Sequence, residues 1–386
     1  MKVKILLLLI SLIHTCVFAQ SDLITEGNIK QKTYLTAIDF ELEQSKIVIP
    51  VTIGDKNYRF LFDTGAANTI NIDAISNLSK VGKLNVSDSN NLEDSLTIAK
   101  VPTFKINDLV FENFNFLQYD FSKNLVLNCF KLDGIIGSNS FKNSIIKIDY
   151  KEKKIYVTDK LQSLSISAKG NKMKLLGKQK SPYLEISLGE KKRVLEDVLF
   201  DTGYNKFYSQ SKRAFAVFSK ENVLENVKSS KAKLSISLFG SDSTSEKSIL
   251  TIPNFAINST HFKNIIAYTS NDNNSKIGTE LLTHGNITLD FKRSKYYFEA
   301  HSNHVDLKEN YPLFAPSFEN GRLIIGMVIN DNLKKDLVIG SIILSVDGKD
   351  VKAENCGDIL NFKYPMEKFS VLQNGKTVEI QMKNYL

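Results

Sequence analysis

Two stretches of this chain repeat one another, and that repeat restricts the fold more than any other feature. One runs IVIPVTIGDKNYRFLFDTGAANTI from Ile47, reaches LDGIIGSNSF and closes on SIIKIDYKEKKIYV. The other runs PYLEISLGEKKRVLEDVLFDTGYNKFY from Pro182, reaches SKIGTELL and closes on GNITLDFKRSKYYF. Asp63 corresponds to Asp201 at an offset of 138, while Gly137 matches Gly278 and Asp149 matches Asp290 at 141. Three landmarks in one order at a nearly constant offset identify a duplication, so two similar lobes are expected.

Both copies carry the period-two alternation of Val, Ile, Tyr and Phe with polar residues that marks half-buried strands. IKIDYKEKKIYV and ITLDFKRSKYYF each read as a hairpin with a charged turn. Helical signals are few, with DAISNLSK (73–80) and SFKNS (140–144) as short candidates. The fold class is therefore all-β. After Ala300 the pattern changes to a connector, SNHVDLKENYPLFAPS, and then to a small β-rich unit. Its Asp347-Gly348 and Asn374-Gly375 dipeptides, set between apolar runs, predict hairpin turns. The divisions are 1–19, 20–160 and 161–304 for a leader and two lobes, 305–318 for a linker, and 319–386 for the tail.

The repeated motif carries the chemistry. Phe60-Leu61-Phe62 and Val198-Leu199-Phe200 are strands that can enter a core, and each is followed at once by an acid. Such an acid is costly to bury unless it gains hydrogen bonds or a partner. Gly65 and Gly203 allow a tight turn after it, whose N–H groups and Thr hydroxyls (Thr64, Thr202) can hold the carboxyl oxygens. Two-fold packing of the lobes brings the two loops face to face. Two touching carboxylates do not both ionise; they share a proton and titrate as a pair. One then takes a proton from water while the other hydrogen-bonds to a carbonyl oxygen. Asp63 and Asp201 are the candidate catalytic pair, and this chemistry needs no metal and no other cofactor.

Asp63-Thr64-Gly65-Ala66 followed by DGIIG at 133–137 resembles the retropepsin- and pepsin-like aspartic peptidases over roughly residues 40–300. The resemblance implies a β-barrel in each lobe and a loop of two apolar residues and glycine supporting each catalytic Asp. Ile135, Ile136 and Gly137 match that loop in the first lobe, and Ile277 and Gly278 in the second, where Lys276 replaces the usual first apolar residue. It also implies that Thr64 and Thr202 brace the two loops, and that a polypeptide is the substrate. Tyr204 stands where the family usually has Ser, Thr or Ala; a ring there crowds the carboxylate or widens the loop. Flaps over the substrate are expected near residues 86–100 and 229–247. The tail is similar to a bacterial PDZ domain, with Ser341 in place of an Asp, which implies a peptide C-terminus as a second partner; a plain structural cap is the alternative. A peptide-binding module of the same fold without efficient hydrolysis is the competing function.

The N-terminus bears on location. Lys2 and Lys4, an apolar run from Ile5 to Ile13, and Val17-Phe18-Ala19 before Gln20 lay out a secretory signal, too short to span a bilayer. Export to a periplasm or the cell exterior is expected, with no transmembrane span. Cys16 raises lipid attachment, but His14 and Thr15 before it fit the usual motif poorly. A segment from Gln20 to about Thr36 is a candidate pro-segment. The net charge of +8 is scattered rather than blocked, which argues against nucleic acid as a partner. Cys129 and Cys356 lie too far apart to make a disulfide framework, so each reads as a small buried hydrophobe. His301 and His304 read as surface residues rather than a metal site. One chain carries both halves of the pair, so a monomer suffices.

Overall fold

The computed structural model describes residues 23–75, 77–190, 193–353, 355–357 and 366–385. The leader at 1–19, with Cys16, lies outside them. Among the described residues no helix is long and apolar enough to cross a membrane.

The chain is mostly strand, arranged around two closed rings of six. In the first, Glu93–Ile106, Leu109–Tyr119, Thr69–Asn71, Gly134–Gly137, Lys56–Asp63 and Lys46–Ile53 follow one another, and the last pairs back to the first. In the second, Ser245–Ile257, Thr260–Ser270, Tyr208–Ser211, Lys276–Ile277, Val194–Phe200 and Ser181–Leu188 do the same. Closing a sheet on itself removes its unpaired edges. Val101, Phe104 and Ile106 from one strand and Phe111, Phe114 and Phe116 from its partner fill the core, and the three-residue steps 101 to 104 and 111 to 114 depart from strict alternation, the second across Asn113 at φ +60°. Phe104 stacks on Phe111 at 4.7 Å and meets Phe116 edge-on at 5.4 Å.

A six-stranded antiparallel layer joins the rings. Its two middle strands, Ile145–Asp149 and Gly285–Asp290, pair Ile146 with Leu289 and Ile148 with Ile287. Shifting by the repeat offset of 141 carries each of these pairs onto the other. Ile146, Ile148, Ile287 and Leu289 are all buried in one core continuous with both rings.

The tail has a separate core around Phe314, Ile325, Leu333, Phe369 and Val371. Its sheet runs Phe314–Glu319, Arg322–Val328, Ile342–Val346, Lys368–Gln373, Lys376–Gln381. At both expected turns two successive residues adopt positive φ, +48° and +78° at Asp347-Gly348 and +50° and +74° at Asn374-Gly375. That is the backbone a two-residue hairpin favours.

Three readings are corrected. Cys129 and Cys356 are disulfide-bonded, not separate hydrophobes. Although 227 residues apart in sequence, their Cα atoms lie 5.2 Å apart, which ties the tail to the end of the short helix Leu125–Cys129. DAISNLSK is not helical: Asn77 takes φ +68° and Ser79 begins a strand. Helix forms instead at Lys212–Phe218, where Ser211 caps the Ala214 amide at 3.2 Å and Ala214 and Phe218 are buried one turn apart. The segment read as a linker contributes a strand at each end, His304–Asp306 and Phe314–Glu319. Pro316 hid the second one; it sits at a bulge, where a missing N–H is tolerated.

Candidate active site

Asp63 ends the strand Lys56–Asp63, whose Phe60 and Phe62 are fully buried. Parallel pairing with Gly134–Gly137 sets Gly137 beside Asp63. Asp201 directly follows Val194–Phe200, and its amide donates to the Ile277 carbonyl at 2.9 Å. Ile135, Ile136 and Ile277 are buried behind the two acids. Both acids therefore stand at the end of an apolar strand that the core holds rigid.

Turns follow at once. The Gly65 amide donates to Asp63 Oδ1 at 2.8 Å, and the Gly203 amide to Asp201 Oδ1 at 2.9 Å. Neither glycine has positive φ, so turn geometry is not what demands them. The demand is space, and it is crossed. A Cβ on Gly65 would lie 2.9 Å from Asp201 Cγ, and one on Gly203 only 2.3 Å from Asp63 Oδ2. Each glycine makes room for the opposite carboxyl. Gly137 and Gly278 serve a related purpose, since a Cβ would meet the Ala66 carbonyl at 2.2 Å or the Tyr204 carbonyl at 2.3 Å.

The threonines lock the two turns together. The Thr64 amide donates to Thr202 Oγ1 at 3.0 Å, and the Thr202 amide to Thr64 Oγ1 at 3.1 Å. The Thr64 hydroxyl donates to the Phe200 carbonyl at 2.5 Å, and the Thr202 hydroxyl to the Phe62 carbonyl at 2.7 Å. All four bonds cross between the halves, and both threonines are buried. Ser138 Oγ donates to the Thr64 carbonyl, and Asn68 Oδ1 accepts from the Gly137 amide, bracing the first turn from behind.

Two lysines enter this site; sequence reasoning met Lys276 only as a departure in the second support loop and did not single out Lys46. Lys276 reaches Asp201 Oδ2 at 3.2 Å and Asp272 Oδ2 at 2.9 Å, with its side chain 14% exposed. The Lys46 ammonium donates to the Gly203 carbonyl. A lysine where an apolar residue was expected was the available signal for Lys276. Lys46 gave none, because 157 residues separate it from Gly203. Burial, and then the charge of Asp201, push the Asp63 carboxyl up to about 7. Burial also opposes ionisation of Asp201, but Lys276 and Lys46 outweigh it and hold that carboxyl below the usual range. The pair is thus biased, with ionisation favoured on Asp201 by the Lys276 ammonium and protonation favoured on Asp63 by burial and the charge of Asp201.

The departure at Tyr204 is accommodated. Its amide closes the turn onto the Asp201 carbonyl at 3.1 Å, and its carbonyl accepts from Thr279 at 2.9 Å. Burial raises its hydroxyl well above the ordinary value, so it stays neutral. Lys276 leaves the backbone support of Asp201 intact, since the Ile277 carbonyl still receives the Asp201 amide.

The segments expected to be flaps meet each other. The hairpin of Ser79–Ser87 and Glu93–Ile106 carries the turn 88–92. There Asn90 Nδ2 donates to the Gly240 carbonyl at 2.9 Å, and Asp88 Oδ2 accepts from the Phe239 amide at 2.9 Å. Phe239 lies edge-on against Tyr119 at 5.6 Å. Leu238 and Phe239 pack on an apolar cluster that includes Leu61 and Ile135 and also touches Ala66 of the first turn. Outside the site, His301 and His304 lie exposed at the surface.

Residues 49–140 match the model of a family described as aspartyl protease. That stretch holds Asp63, Thr64, Gly65, Ala66 and the Ile135–Gly137 loop, and it is similar to proteins associated with peptide hydrolysis in general. Asp201 lies beyond it. No curated protein matches the chain.

Proposed function

We propose that this chain is an exported aspartic endopeptidase that hydrolyses an extended polypeptide with a water activated between Asp63 and Asp201. One observation carries the reading: the reciprocal Thr64–Thr202 hydrogen bonds, which set the two carboxyls against each other's glycine. In this reading the two six-stranded rings are duplicated lobes, in the first and second halves of the body. The water oxygen attacks the peptide carbonyl carbon and passes a proton to one carboxylate, while the protonated carboxyl hydrogen-bonds to the carbonyl oxygen. The chemistry calls on no metal or cofactor. The Cys129–Cys356 disulfide supports export, because such bonds persist in oxidising compartments. The tail is read as a PDZ-like module for a peptide C-terminus, and the working unit as a monomer.

The test is cleavage of a mixed peptide library by the full chain from acidic to neutral pH, beside the folded variants Asp63→Asn and Asp201→Asn. Cleavage lost in both establishes the pair. No cleavage by the folded parent at any pH leaves the peptide-binding module, and cleavage retained in both variants removes the pair from the chemistry.

A further inference from the structure

We propose that Lys276 is a positioning residue that decides which carboxyl of the pair is base and which is acid, with Asp272 as its anchor. The inference rests on the peptidase reading and deepens it.

The geometry is unsymmetrical where the backbone is nearly symmetrical. Each Asp accepts one amide from the glycine two residues on. Asp201 alone gains an ion pair, on the oxygen its glycine does not use. Lys276 is held from both ends. Its backbone is registered beside Leu199 in the parallel pair behind Asp201, so the side chain starts from a fixed point. Its ammonium is shared with Asp272, and Asp272 is fixed in turn because its Oδ1 accepts the Asn274 amide at 2.9 Å. An ammonium buried this deeply stays only while it is paired. The counterpart near Asp63 differs: the Lys46 ammonium donates to the Gly203 carbonyl and its charge favours ionisation of both acids, whereas Lys276 pairs directly with Asp201.

The other ionisable neighbours do not undo this bias. Burial raises the hydroxyls of Tyr183 and Tyr204, so both are neutral in the working range. Burial likewise raises Glu280, which acts on Tyr204. Arg213 reaches the neighbourhood only through Tyr183 and Glu196. What remains at the pair is Lys46, Lys276, Asp63, Asp201 and Asp272.

The roles then follow. Asp201 takes the water's proton as the oxygen–carbon bond forms, and Asp63 donates its proton to the carbonyl oxygen. As the tetrahedral species collapses, the C–N bond breaks, the nitrogen takes the proton from Asp201, and Asp63 recovers its own as the carbonyl re-forms. The products are a carboxylic acid and an amine, and the pair returns to its starting protonation.

Titration of the Asp side-chain carboxyls by carbon NMR, in the full disulfide-bonded chain, tests the assignment without needing a substrate. Lys276→Met is expected to move the lower transition of the pair upward by about one to three pH units, the range an adjacent opposite charge commands. Lys276→Arg is expected to keep it low. With the cleaved library peptide, the acid limb of kcat/KM moves with that transition in each variant. An unmoved transition in Lys276→Met, or equal behaviour of Met and Arg, overturns the proposal. Should Lys276→Met fail to fold, Lys276→Gln, which keeps a polar side chain without the charge, is expected to raise the transition likewise, and no rise there overturns the proposal. Absence of cleavage by the parent would sink the peptidase reading alone, because the carboxyl titration stands apart from it.

Discussion

Replacing Thr64 by Val tests how the two halves are held at the pair. Valine keeps the shape of threonine, so no cavity opens, but the hydroxyl disappears. The Phe200 carbonyl loses a 2.5 Å donor and the Thr202 amide loses a 3.1 Å acceptor. Both threonines are essentially inaccessible, 1% and 0% exposed, so water does not replace what is lost. A buried backbone group left unsatisfied costs about 1–3 kcal/mol, so with two such groups the variant is expected to lose about 2–6 kcal/mol. That is a large share of the roughly 5–15 kcal/mol by which a folded protein is stable. Thr64→Ser keeps the hydroxyl and gives up one methyl, about 1 kcal/mol. Thr202→Val, which strips the Phe62 carbonyl and the Thr64 amide, is expected to match Thr64→Val. The double variant costs less than the two single losses together, since the second set braces loops the first has already freed. Urea unfolding followed by far-ultraviolet circular dichroism, with the disulfide intact, reads all four. A Thr64→Val loss under about 1 kcal/mol, or a Ser variant as unstable as the Val one, would refute the reasoning.

Three further outcomes are expected. Gly203→Ala places a methyl 2.3 Å from Asp63 Oδ2 and should cost about 100-fold or more in peptide cleavage, the scale of an ångström's misplacement. A parent-like rate would show that the carboxyl has room. Asp242→Ala strands the buried Lys247 ammonium, 1% exposed, and should destabilise the chain by about 3–5 kcal/mol in thermal or urea unfolding; a change below about 1 kcal/mol contradicts the pairing. Asp63 holds its proton to about 7 in the folded chain against 3.8 in the free side chain. Between those values the folded state binds the proton the unfolded state has released. Its contribution is therefore full below about 4 and is lost as pH rises to about 7, falling by about 1.4 kcal/mol for each pH unit crossed. Asp63→Asn should flatten that fall in urea midpoints measured from pH 4 to 8, and an unchanged slope counts against a proton held on Asp63.

Much of the candidate site was legible because it is local. Asp-Thr-Gly after a buried apolar triplet names the acid, the brace and the close-packing residue in three letters, and the second copy supplies the partner. Gly137 and Gly278 were readable for the same reason, as landmarks at a fixed offset. The hairpins 145–158 and 285–300 were readable from alternation and their charged turns. Short helices were not: seven residues at Lys212–Phe218 make too brief a period to separate from a strand end, and DAISNLSK was misread because Asn77 breaks it.

That two acids each follow an apolar strand, in two matching stretches of a β-rich chain, follows from residue order alone, since period, turn chemistry and repetition are properties of neighbours along the backbone. The inequality of the two acids arises only when the chain is folded. Lys276 and Asp272 close on Asp201, Lys46 crosses from a strand 157 residues away to the Gly203 carbonyl, and the tail is bonded to helix Leu125–Cys129 through Cys356. Electrostatic bias and cross-linking depend on distances in space across a low-dielectric interior, and sequence separation carries no information about those distances.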